Sequence, residues 1–128
     1  MSNLFYNALR VIKDKSFDFA VRIVNLYKFL AFQKSEFVLS KQLLKSGTSI
    51  GANIEEALGS QSNKEFISKL HFSYREVKES LYWLKLLYKT DFINEKEFIS
   101  LSKDCEELIM IIVSIIKSSK QKIYFLIT

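Results

Sequence analysis

Apolar side chains recur along most of this chain in alternating steps of three and four. In residues 3–33 the rhythm runs through Phe5, Leu9, Ile12, Ser16, Phe19, Ile23, Leu26 and Leu30. That spacing places them on one seam of an α-helix. Lys13, Asp14 and Lys15 fall off the seam and face water, while Ser16 falls on it and marks a slight break or a local cap. In residues 40–60 the seam is Leu43, Gly47, Ile50, Ile54 and Ala57. Ser40 reads as the N-cap of this helix, and Gly59 as a C-terminal stop in the left-handed conformation.

Residues 63–90 repeat the alternation in Ile67, Leu70, Tyr74, Val77, Leu81, Leu84 and Tyr88. Ser62 and Glu65 form a capping box at its start. Phe66, Phe72, Tyr82, Trp83 and Leu87 lie outside the seam, so this helix is apolar on more than one side. Residues 95–119 form a fourth helix on Phe98, Leu101, Cys105, Leu108, Ile112 and Ile115, with Asn94 and Glu97 as its capping pair. Ile109, Met110, Ile111, Val113 and Ile116 widen its apolar face nearly all round. After a polar interval at residues 117–122, residues 123–128 form an apolar hexamer. It is expected to dock on the bundle or on a second subunit.

Four helices with short connections predict an all-α, antiparallel up-down-up-down four-helix bundle in a single domain, residues 1–128. The extra apolar faces predict self-association in a closed ring, with Trp83, Ile109, Ile116 and Phe125 as interface candidates. Three Gly and no Pro suit long helices rather than hairpins. The single Cys105 excludes an internal disulfide. No secretory signal or membrane span is evident, which makes the chain cytoplasmic by expectation. The net charge is +5, and the basic surplus lies in residues 1–36 and 61–92. This suits an anionic partner, and it equally suits a solvated helical surface that happens to be basic.

One stretch breaks local rules without ending its helix. Gly47 and Gly51 each cost a helix about 1 kcal/mol against Ala, and Asn53, Glu55 and Glu56 interrupt the apolar pattern. Ser49-Ile50-Gly51-Ala52-Asn53-Ile54-Glu55-Glu56-Ala57, followed by Ser62-Asn63-Lys64-Glu65-Phe66, resembles the four-helix bundle proteins encoded in intervening sequences of bacterial 23S rRNA genes. Glu76, Glu79 and Tyr82-Trp83-Leu84 fit the later part of that pattern. Relatives of the family include the accessory variability proteins of diversity-generating retroelements. The resemblance implies a homopentameric, barrel-like ring. In the retroelement branch it implies binding to nucleic acid and a reverse transcriptase through basic surface. This chain departs from the pattern at Gly51, where many members carry Pro, at Ala57, where many carry Gly, and at Ser60, where many carry a basic residue.

The nucleic-acid-binding candidates are Lys41, Lys45, Lys64, Lys69, Arg75, Lys78, Lys85 and Arg22, with Lys89, Arg10, Lys13 and Lys15 beside them. Asn53, near the seam, reads as a polar latch to a neighbouring helix or to a bent backbone near Gly51, or as a ligand-binding amide. Glu56 reads as the partner of a basic residue on another helix or subunit. Glu76 with Glu79, and Asp104 with Glu107, sit three apart on two helices and offer a Mg²⁺ pyrophosphohydrolase alternative. Di-iron chemistry fails, because the only His is His71 and Ser68 stands where its Glu is needed. Cys105 lies on a seam and reads as a buried thiol rather than a nucleophile. The expected function is therefore a non-enzymatic homo-oligomer, without cofactor or metal, that binds RNA or a ribonucleoprotein. The alternative is a structural or protein-binding ring, such as a reverse-transcriptase accessory.

Overall fold

The computed structural model describes the backbone of residues 3–127 and the side chains of residues 3–120. It contains four α-helices, and no strand among the described residues: α1 (Asn3–Gln33), α2 (Leu39–Leu58), α3 (Asn63–Lys89) and α4 (Glu95–Ile127). α1 and α3 each pack against both α2 and α4. The three-four seams meet at the centre. Ile12, Phe19, Ile23, Leu30, Leu43, Ile50, Ile54, Leu70, Leu84, Leu101 and Leu108 are all essentially sealed from solvent. Each such side chain contributes roughly 1.5–3 kcal/mol by leaving water. No described helix is long and apolar enough to cross a membrane.

Small residues let the helices approach closely. A Cβ on Gly47 would lie 2.9 Å from both Cγ atoms of Ile23, so α1 and α2 touch there nearly backbone to side chain. Gly51 faces Ser16 at 3.4 Å. Buried serines do the same between α2 and α3. The Ser73 hydroxyl donates to the Ile50 carbonyl at 2.9 Å, and the Ser80 hydroxyl donates to Ser46 Oγ at 2.9 Å. Ser16 neither breaks nor caps α1; its hydroxyl returns to the Lys13 carbonyl at 3.1 Å inside a continuous helix.

Three helix ends differ from their sequence expectations. Ser40 does not cap α2, which starts one residue earlier, at Leu39. The buried Glu36 carboxylate takes that role, accepting the N–H groups of Val38, Leu39 and Ser40 at 3.3, 3.1 and 2.7 Å. Burial pushes this carboxyl up, but the N–H groups of Ser40, Leu39 and Val38 together hold it below its ordinary value. Gly59 has φ −92° and is not left-handed; the left-handed residues are Ser35 (φ 53°) and Asp91 (φ 68°), in the first and third connections. Finally, α4 does not stop at Ser119. Residues 117–122 contain good helix formers and no Gly or Pro, and the helix runs on to Ile127.

The other two caps form as the spacing implies. Ser62 Oγ accepts the Glu65 N–H at 3.1 Å, although Glu65 Oε2 reaches back to the Gln61 N–H at 3.3 Å rather than to Ser62. Asn94 Oδ1 accepts the Glu97 N–H at 2.8 Å.

A candidate nucleic-acid interface

α3 buries one face through Leu70, Ser73, Val77, Ser80, Leu84 and Leu87. Its opposite face carries Lys64, His71, Arg75, Lys78, Tyr82, Lys85 and Lys89. Successive steps along this row are three, four or seven residues, so it forms a second seam turned to solvent within an arc of about 80°. The five cations of the row are exposed, and none has an ion-pair partner among the described residues. The row runs for about 38 Å at 1.5 Å per residue. Glu65, Glu76 and Glu79 lie on the flank toward α2. There burial and the neighbouring Glu79 raise the Glu76 carboxyl, while Lys45 of α2 and Arg75 oppose the rise. α3 thus separates its charges, with carboxylates toward α2 and cations outward.

The sequence candidates divide on this geometry. Lys64, Arg75, Lys78 and Lys85 come together on the row, whereas Lys41 and Lys45 are exposed on α2. Lys69 turns toward α2 and pairs with Glu56 at 3.7 Å. Arg22 is engaged across the α1–α4 contact, at 2.6 Å from Asp104 and 3.0 Å from Ser100 Oγ. Lys15 reaches Glu107 at 2.6 Å on the same side.

Of the two latch readings for Asn53, the structure has the bond to backbone near Gly51 and not one to a neighbouring helix. Its amide donates to the Ser49 carbonyl of its own helix at 2.9 Å. The polar links between α2 and α3 are made instead by Ser46, Ser73 and Ser80. Each of these serines stands one position before a seam residue, Gly47, Tyr74 and Leu81, and none falls on the apolar seam itself.

Of the interface candidates, Trp83 and Ile109 are half-buried. The Trp83 indole N–H donates to Glu79 Oε1 at 3.1 Å. Ile116 is only 7% exposed and lies in the bundle's own core, which leaves it little surface for another chain. Phe125 and the docking of residues 123–128 lie outside the described side chains.

The carboxylates of the Mg²⁺ alternative do not converge. Glu76 sits beside α2, while Asp104 and Glu107 are turned to the cations of α1. Among the described residues no group of three or more His, Cys, Asp and Glu is placed to hold a metal. The Cys105 thiol is fully buried and pushed up to about 12, chiefly by that burial, with Asp104 and Glu106 adding to it.

A family model described as 23S rRNA-intervening sequence protein matches residues 9–114. This chain belongs to that family. A crystal structure from Bacteroides thetaiotaomicron VPI-5482, of a protein with unknown function from the S23 ribosomal protein family, is similar throughout. The two are 52% identical with a TM-score of 0.85, over 86% of this chain and 98% of that one. No curated protein matches. The matched span of this intervening-sequence protein contains α2 and α3 whole, and so the whole outward row.

Proposed function

We propose that this intervening-sequence protein is a non-enzymatic, homo-oligomeric bundle that binds RNA, alone or in a ribonucleoprotein, through the outward row of α3. The observation that carries this reading is the row itself: five exposed cations on one helix face, without an ion-pair partner among the described residues, with the acidic residues of that helix turned aside. A linear array of this kind suits a phosphate backbone, and binding through it is salt-dependent with little sequence preference.

The bundle is antiparallel, up-down-up-down. Support comes from the order of cross-helix links: Lys69, Ser73 and Ser80 of α3 meet Glu56, Ile50 and Ser46 of α2 in reverse. Its assembly is the homopentameric ring implied by the family resemblance. Exposed apolar side chains on the outer side of α1 support association, with Phe17 67%, Val21 45% and Phe32 76% exposed. A ring repeats the α3 row five times and turns a modest charge per chain into a multivalent field.

Light-scattering mass, with and without a structured RNA at low and high salt, tests both parts. The expected species is about five times the 15.0 kDa chain, gaining RNA mass only at low salt. A Lys78→Glu/Lys85→Glu variant keeps the protein mass and loses the RNA. A pentamer that never gains RNA moves the function to a protein partner, and a stable monomer removes the ring.

A further inference from the structure

Two aromatic rings stand exposed on α3, one in the outward row and one on its flank toward α2. Tyr82 is 60% exposed and Phe72 44%. Tyr82 lies in the basic row itself, four residues after Lys78 and three before Lys85, so both cations flank its ring. Phe72 lies beside the row, on the flank toward α2, with the Arg75 guanidinium 4.6 Å from its ring centroid and Lys69 Nζ 5.8 Å away. The two rings are about 15 Å apart along the helix axis.

The core does not account for this placement. Tyr82 touches Trp83 edge to face at 5.0 Å and otherwise presents its ring to water. Lysines alone suffice to meet the phosphates of a duplex. Aromatic faces set among cations suit a different ligand, a single strand, whose bases stack on the rings while its phosphates meet the cations. An RNA duplex keeps its bases paired inside a narrow-grooved helix and has no free base face to offer. The Glu79 carboxylate, three residues before Tyr82, accepts the Trp83 indole N–H at 3.1 Å.

We propose that the α3 face binds unpaired RNA, with bases stacked on Tyr82 and Phe72 and phosphates held by Arg75, Lys78, Lys85 and Lys89. This rests on the RNA-binding reading above and names the form of RNA. Arg75 belongs to both parts, because its guanidinium plane covers Phe72 and offers a second face for a base.

The test uses the full chain at low salt with a fluorescein-labelled, unstructured 20-nucleotide RNA and the same strand annealed to its complement. Fluorescence anisotropy measures affinity. The emission of Trp83, the single tryptophan, reports contact at the adjacent ring. The single strand is expected to bind about tenfold tighter than the duplex and to change Trp83 emission. Tyr82→Ala should weaken single-strand binding by roughly 5- to 150-fold, the range for one stacked base, and leave the duplex unchanged. Tyr82→Phe, which keeps the ring, should restore it. Equal affinity for both RNAs with no effect of Tyr82→Ala or Phe72→Ala overturns the stacking proposal and leaves phosphate binding standing. No binding of either RNA overturns both.

Discussion

Gly47 and Gly51 lie one turn apart on α2, and Ala at the two positions should act with opposite sign. Ala improves helix propensity by about 1 kcal/mol at either site, if nothing else changes. At Gly47 something must change. The new Cβ would stand 2.9 Å from Cγ1 and Cγ2 of Ile23 and 3.2 Å from its Cβ. Ile23 is 0% exposed, and its branched carbons have no free space to move into. Overpacking of this kind costs about 1–3 kcal/mol, so Gly47→Ala should be destabilised by about 1 kcal/mol net. At Gly51 the nearest atoms are the Ser16 carbonyl and hydroxyl oxygens at 3.4 Å, the edge of ordinary contact. Gly51→Ala should therefore be neutral or more stable by up to about 1 kcal/mol. Urea unfolding at one fixed protein concentration measures both, since assembly makes the midpoint concentration-dependent. The decisive arm is a cycle with Ile23→Ala, which removes both clashing atoms. Adding Gly47→Ala to that background should stabilise it, giving a coupling of about 1–2 kcal/mol. A Gly47→Ala protein as stable as the Gly51→Ala protein, or a cycle with no coupling, would refute the close approach of α1 and α2.

Other outcomes follow from single groups. Glu36→Ala should cost about 1–2 kcal/mol by leaving three N–H groups at the start of α2 without their acceptor. The depressed carboxyl also fixes a sign: its contribution is complete above its ordinary 4.5 and is lost as pH falls through the lower folded value. Glu36→Gln should flatten acid unfolding in that window, and an unchanged acid limb would count against the cap. In RNA titrations, Lys78→Ala and Lys85→Ala should each reduce the slope of log affinity against log salt by about 0.7. Arg22→Ala should leave the slope alone, because Asp104 and Ser100 already occupy that guanidinium. Cys105 should resist a thiol reagent such as DTNB in the native protein and react only at the rate of unfolding, since the thiol is buried and raised to about 12.

The sequence pattern carried the helices and most of the core: the seam residues of α1 from Ile12, of α2, and of α4 from Leu101 are buried, whereas on α3 Ile67, Tyr74, Leu81 and Tyr88 are half-buried and Ser73, Ser80 and Leu87, off the expected seam, are sealed. It failed where one side chain acts on backbone several residues away. Ser40 has the composition of an N-cap, yet Glu36 wins because its longer side chain reaches three N–H groups at once. Gly59 suits a left-handed stop, yet the reversals fall on Ser35 and Asp91. These choices turn on angles and reach, which residue type constrains only weakly.

Charge was the least legible feature as a sum and the most legible as a direction. Both basic segments looked alike in composition, but their cations do different things. On α1, Lys15 and Arg22 lie on the flank that meets α4, where Glu107 and Asp104 neutralise them. On α3, only Lys69 lies on an inward flank, and it alone meets a carboxylate, Glu56. The remaining five share the outward arc with Tyr82, so their charges stay available. The difference is set by helical phase relative to the buried face, and on α3 that face includes Ser73, Ser80 and Leu87, which the apolar seam of the sequence leaves out. Lys64, Arg75, Lys78, Lys85 and Lys89 stand opposite the centre of the buried face of α3, which Leu70, Ser73, Val77, Ser80, Leu84 and Leu87 form together, while Arg22 stands on the flank of the buried face of α1. A basic residue beside the seam becomes a structural ion pair. One opposite the buried face remains free for a partner, and α3 is where five such cations share one helix face.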